Sequence, residues 1–548
     1  MPLFPLRFRF ARLLLLSVPM AVLVACGGGG DGGSGASFLP NSGTGITPPT
    51  TTTPPTAPPD APDDGDALRN APWVEGVFRA ASLYKDRCAA PRTGTGYDGK
   101  PFADKAGRTV DENNWLRAWT NDTYLWYDEV PDLDPALYAT SDYFDLLKTH
   151  RATPSGARKD LFHFAYATDR WEGLLHGGTS VDYGAKWAFF ADRPPRDLLV
   201  AYVEPGSPAA VPDAGLRRGD QVLKINGIDF VNDNTVAGIE ILNAGLAPAA
   251  PGTRTLFTVR DVVSGIEREV ALTAAAVTSM PVQNVKILPN EGRKVGYLQF
   301  NDHIGTAELP LKTAFEQLRA AQPTELVVDL RYNGGGYLDM ASQLAFMVAG
   351  EAKTRDKAFE SLRYNNKHTE RDPVFGEPLL PTPFWATTLG FLAPIDPPQP
   401  LPSLDLRRVY VLTGPDTCSA SEAFINGLRG IDIDVVQIGG TTCGKPYGFY
   451  PQDNCGTTYF SVQFQSVNAK GFGDYPDGLA PTCAIPDDFG HALGDPAEAR
   501  LAAALSHQVT GVCPAVPGGR LAKSAASGPD APLLRKPEGL RNRILRPR

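Results

Sequence analysis

Apolar positions along the chain fall into three successive rhythms. Between about 70 and 168, aromatic residues crowd Asn114-Trp-Leu-Arg-Ala-Trp-Thr-Asn-Asp-Thr-Tyr-Leu-Trp-Tyr127, with Trp115, Leu116, Trp119, Tyr124 and Trp126 only partly on one helical face, and Tyr143, Phe144, Leu146 and Leu147 forming a second cluster. This spacing predicts a small helical domain over 70–171 whose aromatic stripe is core rather than a ligand cage. From 172 to 282 the rhythm shortens to strands: Trp187-Ala-Phe-Phe190, Leu198-Leu-Val-Ala-Tyr-Val203, Gln221-Val-Leu-Lys-Ile225 and Thr255-Leu-Phe-Thr-Val259. Gly219 and Gly227 end or turn them. From 283 to 513, strands alternate with helices, as in Val295–Phe300, the amphipathic 309–321 and Glu325-Leu-Val-Val-Asp-Leu330, which is the signature of an α/β domain. A multidomain protein is therefore expected.

Two segments lack any such rhythm. Residues 27–69 are dominated by Gly, Ser, Thr, Pro and Asp, a linker with too few apolar side chains to form a core. Residues 514–548 carry eight basic residues against Asp530 and Glu538, read as a disordered extension, with contact to an anionic surface as the sharper alternative. Ahead of the linker, Arg7, Arg9 and Arg12 precede an apolar run to Ala25 that is short for a membrane span, an export signal over 1–26.

Composition then narrows the chemistry. With 52 basic and 61 acidic residues the net charge is -9, which argues against nucleic acid as the default partner. The chain has seven cysteines. Apart from Cys26 they are Cys88, Cys418, Cys443, Cys455, Cys483 and Cys513, and in an exported chain they read as disulfides whose pairing the sequence leaves open. No CxxC pair or interleaved His points to zinc, so no metal or cofactor is expected.

Candidate chemistry gathers in the last domain. Thr413-Gly-Pro-Asp-Thr-Cys-Ser-Ala-Ser-Glu-Ala-Phe424 follows the apolar run Val409–Leu412 and puts Ser419 and Ser421 where a strand yields to a helix, near unpaired N–H groups and a positive dipole end. Arg331-Tyr-Asn-Gly-Gly-Gly336 follows another strand and brings backbone N–H groups within reach of an anion, or is simply a tight turn. Lys445 follows a third apolar run, Val435–Ile438. Amide hydrolysis needs a nucleophile, a base and oxyanion donors, and Ser419, Lys445 and the glycine loop fill these roles; His303 offers a Ser-His alternative. Gly439-Gly-Thr-Thr-Cys-Gly-Lys445 also matches a P-loop spacing. The following Pro446, however, supplies neither the hydroxyl for magnesium nor an N–H for phosphate.

Three resemblances extend this reading. Leu23-Val-Ala-Cys26 followed by Gly27 resembles the bacterial lipobox, implying lipidation of Cys26 and a cell-envelope location, outer membrane by analogy and facing the periplasm or the surface; the alternative is ordinary signal cleavage with Cys26 incidental. Pro205-Gly-Ser-Pro-Ala-Ala210 with Gly215-Leu-Arg-Arg-Gly-Asp-Gln-Val-Leu-Lys-Ile-Asn-Gly227 resembles a PDZ domain of the bacterial protease type over 172–282. That resemblance implies a carboxylate-binding loop at Tyr183, Gly184, Ala185, Lys186 and Trp187, with Lys186 where a second glycine is usual.

The order of PDZ, Asp329-Leu-Arg-Tyr-Asn-Gly-Gly-Gly336, Cys418-Ser-Ala-Ser-Glu422, Gly444-Lys445 and Gly473-Asp-Tyr-Pro-Asp-Gly478 resembles the carboxyl-terminal processing, or tail-specific, serine proteases. The resemblance implies an α/β (α+β) serine protease domain over 283–513, preceded by a β-sandwich-like PDZ domain and the helical domain. It also implies Ser419 as nucleophile, Lys445 as base, and the amides of Ala420 and Gly335 or Gly336 as oxyanion donors, with peptides or extended proteins as substrates. Ser421 and Cys418 are weaker candidates for the nucleophile. One departure stands out: Phe449 occupies the place of a lysine-orienting glutamine, a role open to Gln452 or Gln463. Hence the alternative, a catalytically inactive PDZ-containing scaffold on the protease fold.

Overall fold

The computed structural model describes residues 64–515, except 97, 213 and 214, together with a strand at Arg543–Ile544. The export signal, Cys26 and most of the linker and tail lie outside the described residues. Two short elements fall inside segments expected to be irregular. Asp64–Asn70 is a helix within the anticipated linker, with an Asp66–Arg69 ion pair one turn apart, and Arg543–Ile544 is a strand within the anticipated disordered tail.

The aromatic stripe is core. Trp115 and Trp119 on the helix Thr109–Thr123 stack at 5.3 Å and pack with Tyr143, Phe144 and Leu147 from the helix Thr140–Leu146 and its C-cap. Tyr459, more than 300 positions later, completes that cluster. The reason is a strand pairing: Phe164–Ala167 runs antiparallel to Thr457–Phe460, and a disulfide joins Cys88 to Cys455 beside it. This helical module is therefore stapled to the last domain.

The middle region is a sheet in the order Glu267–Thr273, Arg254–Asp261, Asp220–Ile225, Asp197–Val203, Ala185–Ala191, with Ile228–Asp229 on the third strand. Strand 254–261 alternates as a half-buried strand should, with Thr255, Phe257 and Val259 buried and Arg254 and Leu256 exposed. The helix Val236–Leu246 closes this core with Leu242 and Leu246. Thr179–Asp182 and Ala275–Thr278 pair where the chain enters and leaves.

The last domain holds a second sheet, ordered Val282–Asn290, Arg293–Phe300, Glu325–Asp329, Arg408–Thr413, Asp434–Gly439, Cys483–Ala484, antiparallel in its first pair and parallel thereafter. Its central strands are apolar on both faces because both are covered. Leu298, Val328 and Val411 face the helices Glu308–Ala321, Leu338–Ala349 and Ala420–Gly430. Tyr297, Val327, Tyr410 and Ile438 face the helix Ala499–Thr510. The chain is thus a multidomain α/β protein.

Two polar junctions tie the middle region to this sheet. Arg218 donates to Asp487 at 2.7 Å and to the Tyr332 hydroxyl at 2.7 Å, while Asp487 also accepts from the buried Arg331. At the second, the Ser279 hydroxyl lies 3.4 Å from both Glu204 and Asp302. Burial raises these carboxyls, Glu204 to about 7 and Asp302 to about 6.

Candidate active site

Strands 325–329, 408–413 and 434–439 are neighbours in the parallel sheet, so the loops leaving their C-terminal ends must meet at one edge. Those loops carry the glycine run, Ser419 and Lys445. Ser419 has φ 60° and ψ -116°, a conformation that costs a non-glycine residue about 1–3 kcal/mol and is held by its surroundings. It caps the 420–430 helix, so the Ala420 N–H stands in the first turn at the positive dipole end.

Glu422, one turn into that helix, binds the loops together. Its Oε2 accepts the Ser419 N–H at 2.8 Å and the Lys445 N–H at 2.9 Å. Its Oε1 accepts the Gly444 N–H at 2.9 Å and the Thr442 hydroxyl at 2.6 Å. Burial pushes this carboxyl above its usual range, against the hydrogen bonds that hold it down. A Cys418–Cys443 disulfide crosses between the same two loops. Gly444 is required: at φ +83° a Cβ there would lie 2.2 Å from the Pro476 carbonyl, so the Gly473–Gly478 stretch forms the floor of the lysine loop.

The glycine run packs on Ser419 from the other side. A Cβ on Gly335 would sit 2.7 Å from the Ser419 Cβ and 2.9 Å from the Ala420 nitrogen. A Cβ on Gly336 would instead meet the His303 carbonyl at 2.3 Å. Asn333 fixes this loop: its Oδ1 accepts the Gly335 N–H at 2.9 Å and the His303 Nδ1–H at 3.0 Å, and its Nδ2 donates to the Phe300 carbonyl. Desolvation draws His303 down to about 3, which keeps its ring neutral in a supporting position. Ser421, the other serine, donates its hydroxyl to the Asn333 carbonyl.

Lys445 is buried, its Nζ 4.3 Å from the Phe449 ring centroid and 5.0 Å from that of Phe162. Phe449 therefore borders the amine directly. Gln463 holds the adjoining strand, accepting the Tyr450 N–H at 2.7 Å and donating to Thr123. Gln452 lies in the strand Gln452–Asn454. Phe449, four positions after the lysine, was within reach of sequence reasoning as its neighbour, and Phe162 was not. Phe162 arrives from the N-terminal module, and Asn333 had no signal beyond its place before the glycines.

Residues 183–187 are placed differently. Tyr183, Ala185 and Trp187 are buried in the middle core, with the Tyr183 hydroxyl on Thr255. The N–H groups of Tyr183 and Gly184 are accepted by the Asp182 Oδ1. Lys186 is half-buried, and strand 185–191 is the edge of its sheet.

Residues 294–451, which span the glycine run, Ser419 and Lys445, match peptidase family S41, and residues 199–241 match the PDZ domain family. The chain carries an S41 peptidase domain preceded by a PDZ domain. The chain has a relative in a carboxyl-terminal-processing protease of Picosynechococcus sp., 32% identical over 141 residues, which are 26% of this chain and 32% of that protein. The chain thus matches about a third of that curated relative's length. A further 36% identity over 95 residues, 17% of this chain, links it to 5% of Rap guanine nucleotide exchange factor 6 of Homo sapiens. Among solved structures, a crystal structure assigned as an S41 protease from Bacteroides fragilis NCTC 9343 aligns at a TM-score of 0.54 and 25% identity, covering 72% of this chain and 96% of that one.

Proposed function

We propose that this protein is an exported serine endopeptidase that cleaves extended peptide or protein chains with Ser419 and Lys445, and is held in the cell envelope by lipidation of Cys26. The observation that carries the catalytic assignment is Glu422 Oε2, which accepts the main-chain N–H of both residues. A lysine accepts a proton only as the neutral amine, and exclusion of water favours that form. Neutral Lys445 takes the Ser419 hydroxyl proton as Oγ bonds to the substrate carbonyl carbon. The resulting ammonium is received by the faces of Phe449 and Phe162, and then returns the proton to the leaving amine as the C–N bond breaks. Water, deprotonated in turn by neutral Lys445, bonds to the acyl carbon, and the ammonium returns that proton to Ser419 Oγ as the C–Oγ bond breaks and the acid product leaves.

Ala420 N–H donates to the oxyanion. With the Gly335 N–H turned to Asn333 and the Tyr337 N–H to His303, we assign the second donor to Gly336. Each such donor supports about 3 kcal/mol of transition-state stabilisation. The PDZ domain presents its 185–191 edge to a substrate segment or gates access to the S41 domain.

The test is turnover of an unstructured protein by the parent, Ser419→Ala and Lys445→Ala. Both variants should lose at least about 10³-fold in kcat while keeping the parent's melting temperature. Equal rates in all three would sink the dyad. Absence of turnover in the parent across a broad substrate panel would favour an inactive PDZ scaffold, a reading motivated by Phe449.

A further inference from the structure

The strand Arg543–Ile544 does not lie at random on the surface. It pairs in parallel with Gly336–Tyr337, Gly336 opposite Arg543 and Tyr337 opposite Ile544, and it also contacts the strand Tyr447–Gly448. Gly336–Tyr337 continues the glycine run beside Ser419, and Tyr447–Gly448 begins two residues after Lys445. The chain's own distal segment therefore occupies the gap between the two loops that frame the catalytic pair, as an added strand.

Both flanking strands lead to one recess. Asp339, two positions past Tyr337, and Tyr450, two past Gly448, line one open recess. Its lining includes three carboxylates, Asp339, Asp372 and Glu377, and no Lys, Arg or His among the described residues. Asp339 accepts the Trp385 Nε1–H and Asp372 accepts three backbone N–H groups, bonds that fix these carboxylates in place. Tyr364, Phe375 and Tyr450 supply ring surface on which an alkyl stem or a guanidinium can rest. Residues 516–548 carry eight basic residues against two acidic ones, so occupant and recess have complementary charge.

We propose that the strand Arg543–Ile544 is the resident occupant of the catalytic cleft, docked between 336–337 and 447–448 beside the acidic recess, and that the substrates which displace it are extended peptides with basic side chains. The segment holds the cleft closed to weak competitors and sets a charge preference. Its consequence for turnover rests on the peptidase reading above; its occupancy does not.

Occupancy is tested by binding, in full-length protein carrying Ser419→Ala, with a fluorescent peptide of sequence 535–548 as the probe. The double variant Arg543→Pro/Ile544→Pro removes both backbone donors of the resident strand. It should bind the probe at least about tenfold more tightly than the parent, because the internal competitor no longer holds the site. Equal affinity in the two proteins would overturn the proposal. In the double-proline background, Asp339→Asn/Glu377→Gln should weaken the probe about tenfold while barely changing affinity for a probe with every Arg and Lys replaced by Gln. Equal loss for both probes would remove the charge preference. With Ser419 restored, the double-proline protein should cleave an unstructured basic substrate several-fold faster than the parent. Tight probe binding without turnover in any form would count against the peptidase reading and still support occupancy.

Discussion

Two loops in this chain present backbone N–H groups at the end of a strand, and they are restrained to different extents. The glycine run at 334–336 is held both by the residue before it and from outside: Asn333 accepts the Gly335 N–H and itself reaches the Phe300 carbonyl, Gly335 packs on Ser419, and the neighbouring loops share Glu422 and the Cys418–Cys443 bridge. The PDZ loop at 183–184 is tied by the residue directly before it, Asp182, which accepts both of its N–H groups. A loop fixed by partners far along the chain keeps one geometry. A loop engaged by an adjacent side chain can release its donors by a single χ rotation. The first arrangement suits chemistry that fails with small misplacements, and the second suits a module that must let ligands come and go.

The largest break in this comparison is Glu422→Ala. It leaves the N–H groups of Ser419, Gly444 and Lys445 without their buried acceptor, so kcat should fall by about 10²-fold or more and stability by about 3 kcal/mol. Turnover and thermal melts of the same preparation check both. Next comes the bridge. Cys418→Ser/Cys443→Ser opens a loop 25 residues apart in sequence, a loss of about 3 kcal/mol in the unfolded-chain view, with a rate loss of about tenfold. Mild reductant should reproduce the rate loss in the parent.

The junction between PDZ and S41 domains sharpens the comparison through pH. Burial raises Glu204 to about 7 from an ordinary 4.5, and Asp302 to about 6 from 3.8, so the folded protein holds protons that the unfolded chain has released. Their unfavourable contribution is absent below about pH 4 and complete above pH 7, reaching no more than about 3 kcal/mol for Glu204. His163 and His303, drawn down to about 4 and 3, act in the opposite direction below pH 6.5, so the parent curve alone mixes the two. Glu204→Gln isolates the effect. Its melting temperature should exceed the parent's at pH 8, with the gap closing by pH 5. The smallest effect belongs to the PDZ loop: Asp182→Ala should raise affinity for a peptide with a free terminal carboxylate by about fivefold, read by fluorescence anisotropy.

How far the sequence alone foretold this follows from which contacts are local. The strands that end at Asp329, Thr413 and Gly439 were visible as apolar runs, and their parallel order makes the loop residues converge, so Ser419 and Lys445 were accessible to pattern. Glu422 was readable as a helix-start acid, because that role lies three residues from Ser419. Its bonds to Gly444 and Lys445 were not, since they depend on how strand 434–439 sits beside 408–413. Phe162 reaches Lys445 only because 164–167 pairs with 457–460, a register no local spacing encodes. At 183–187 the alternation of the strand decides which side chains are buried: one residue in two faces the core, and Tyr183, Ala185 and Trp187 are on that side. Strand 543–544 was hidden because its Arg- and Pro-rich surroundings carry no strand signal, and its partner is backbone.

The staple between Cys88 and Cys455 has a bearing on the order in which the molecule comes into being. The helical module is made first, yet its aromatic cluster waits for Tyr459, its strand 164–167 for 457–460, and its bridge for Cys455. A ribosome that has released only the first 200 residues has made a module with one wall missing. The N-terminal region is early in synthesis and late in folding, and its closure checks that nearly the whole chain has arrived.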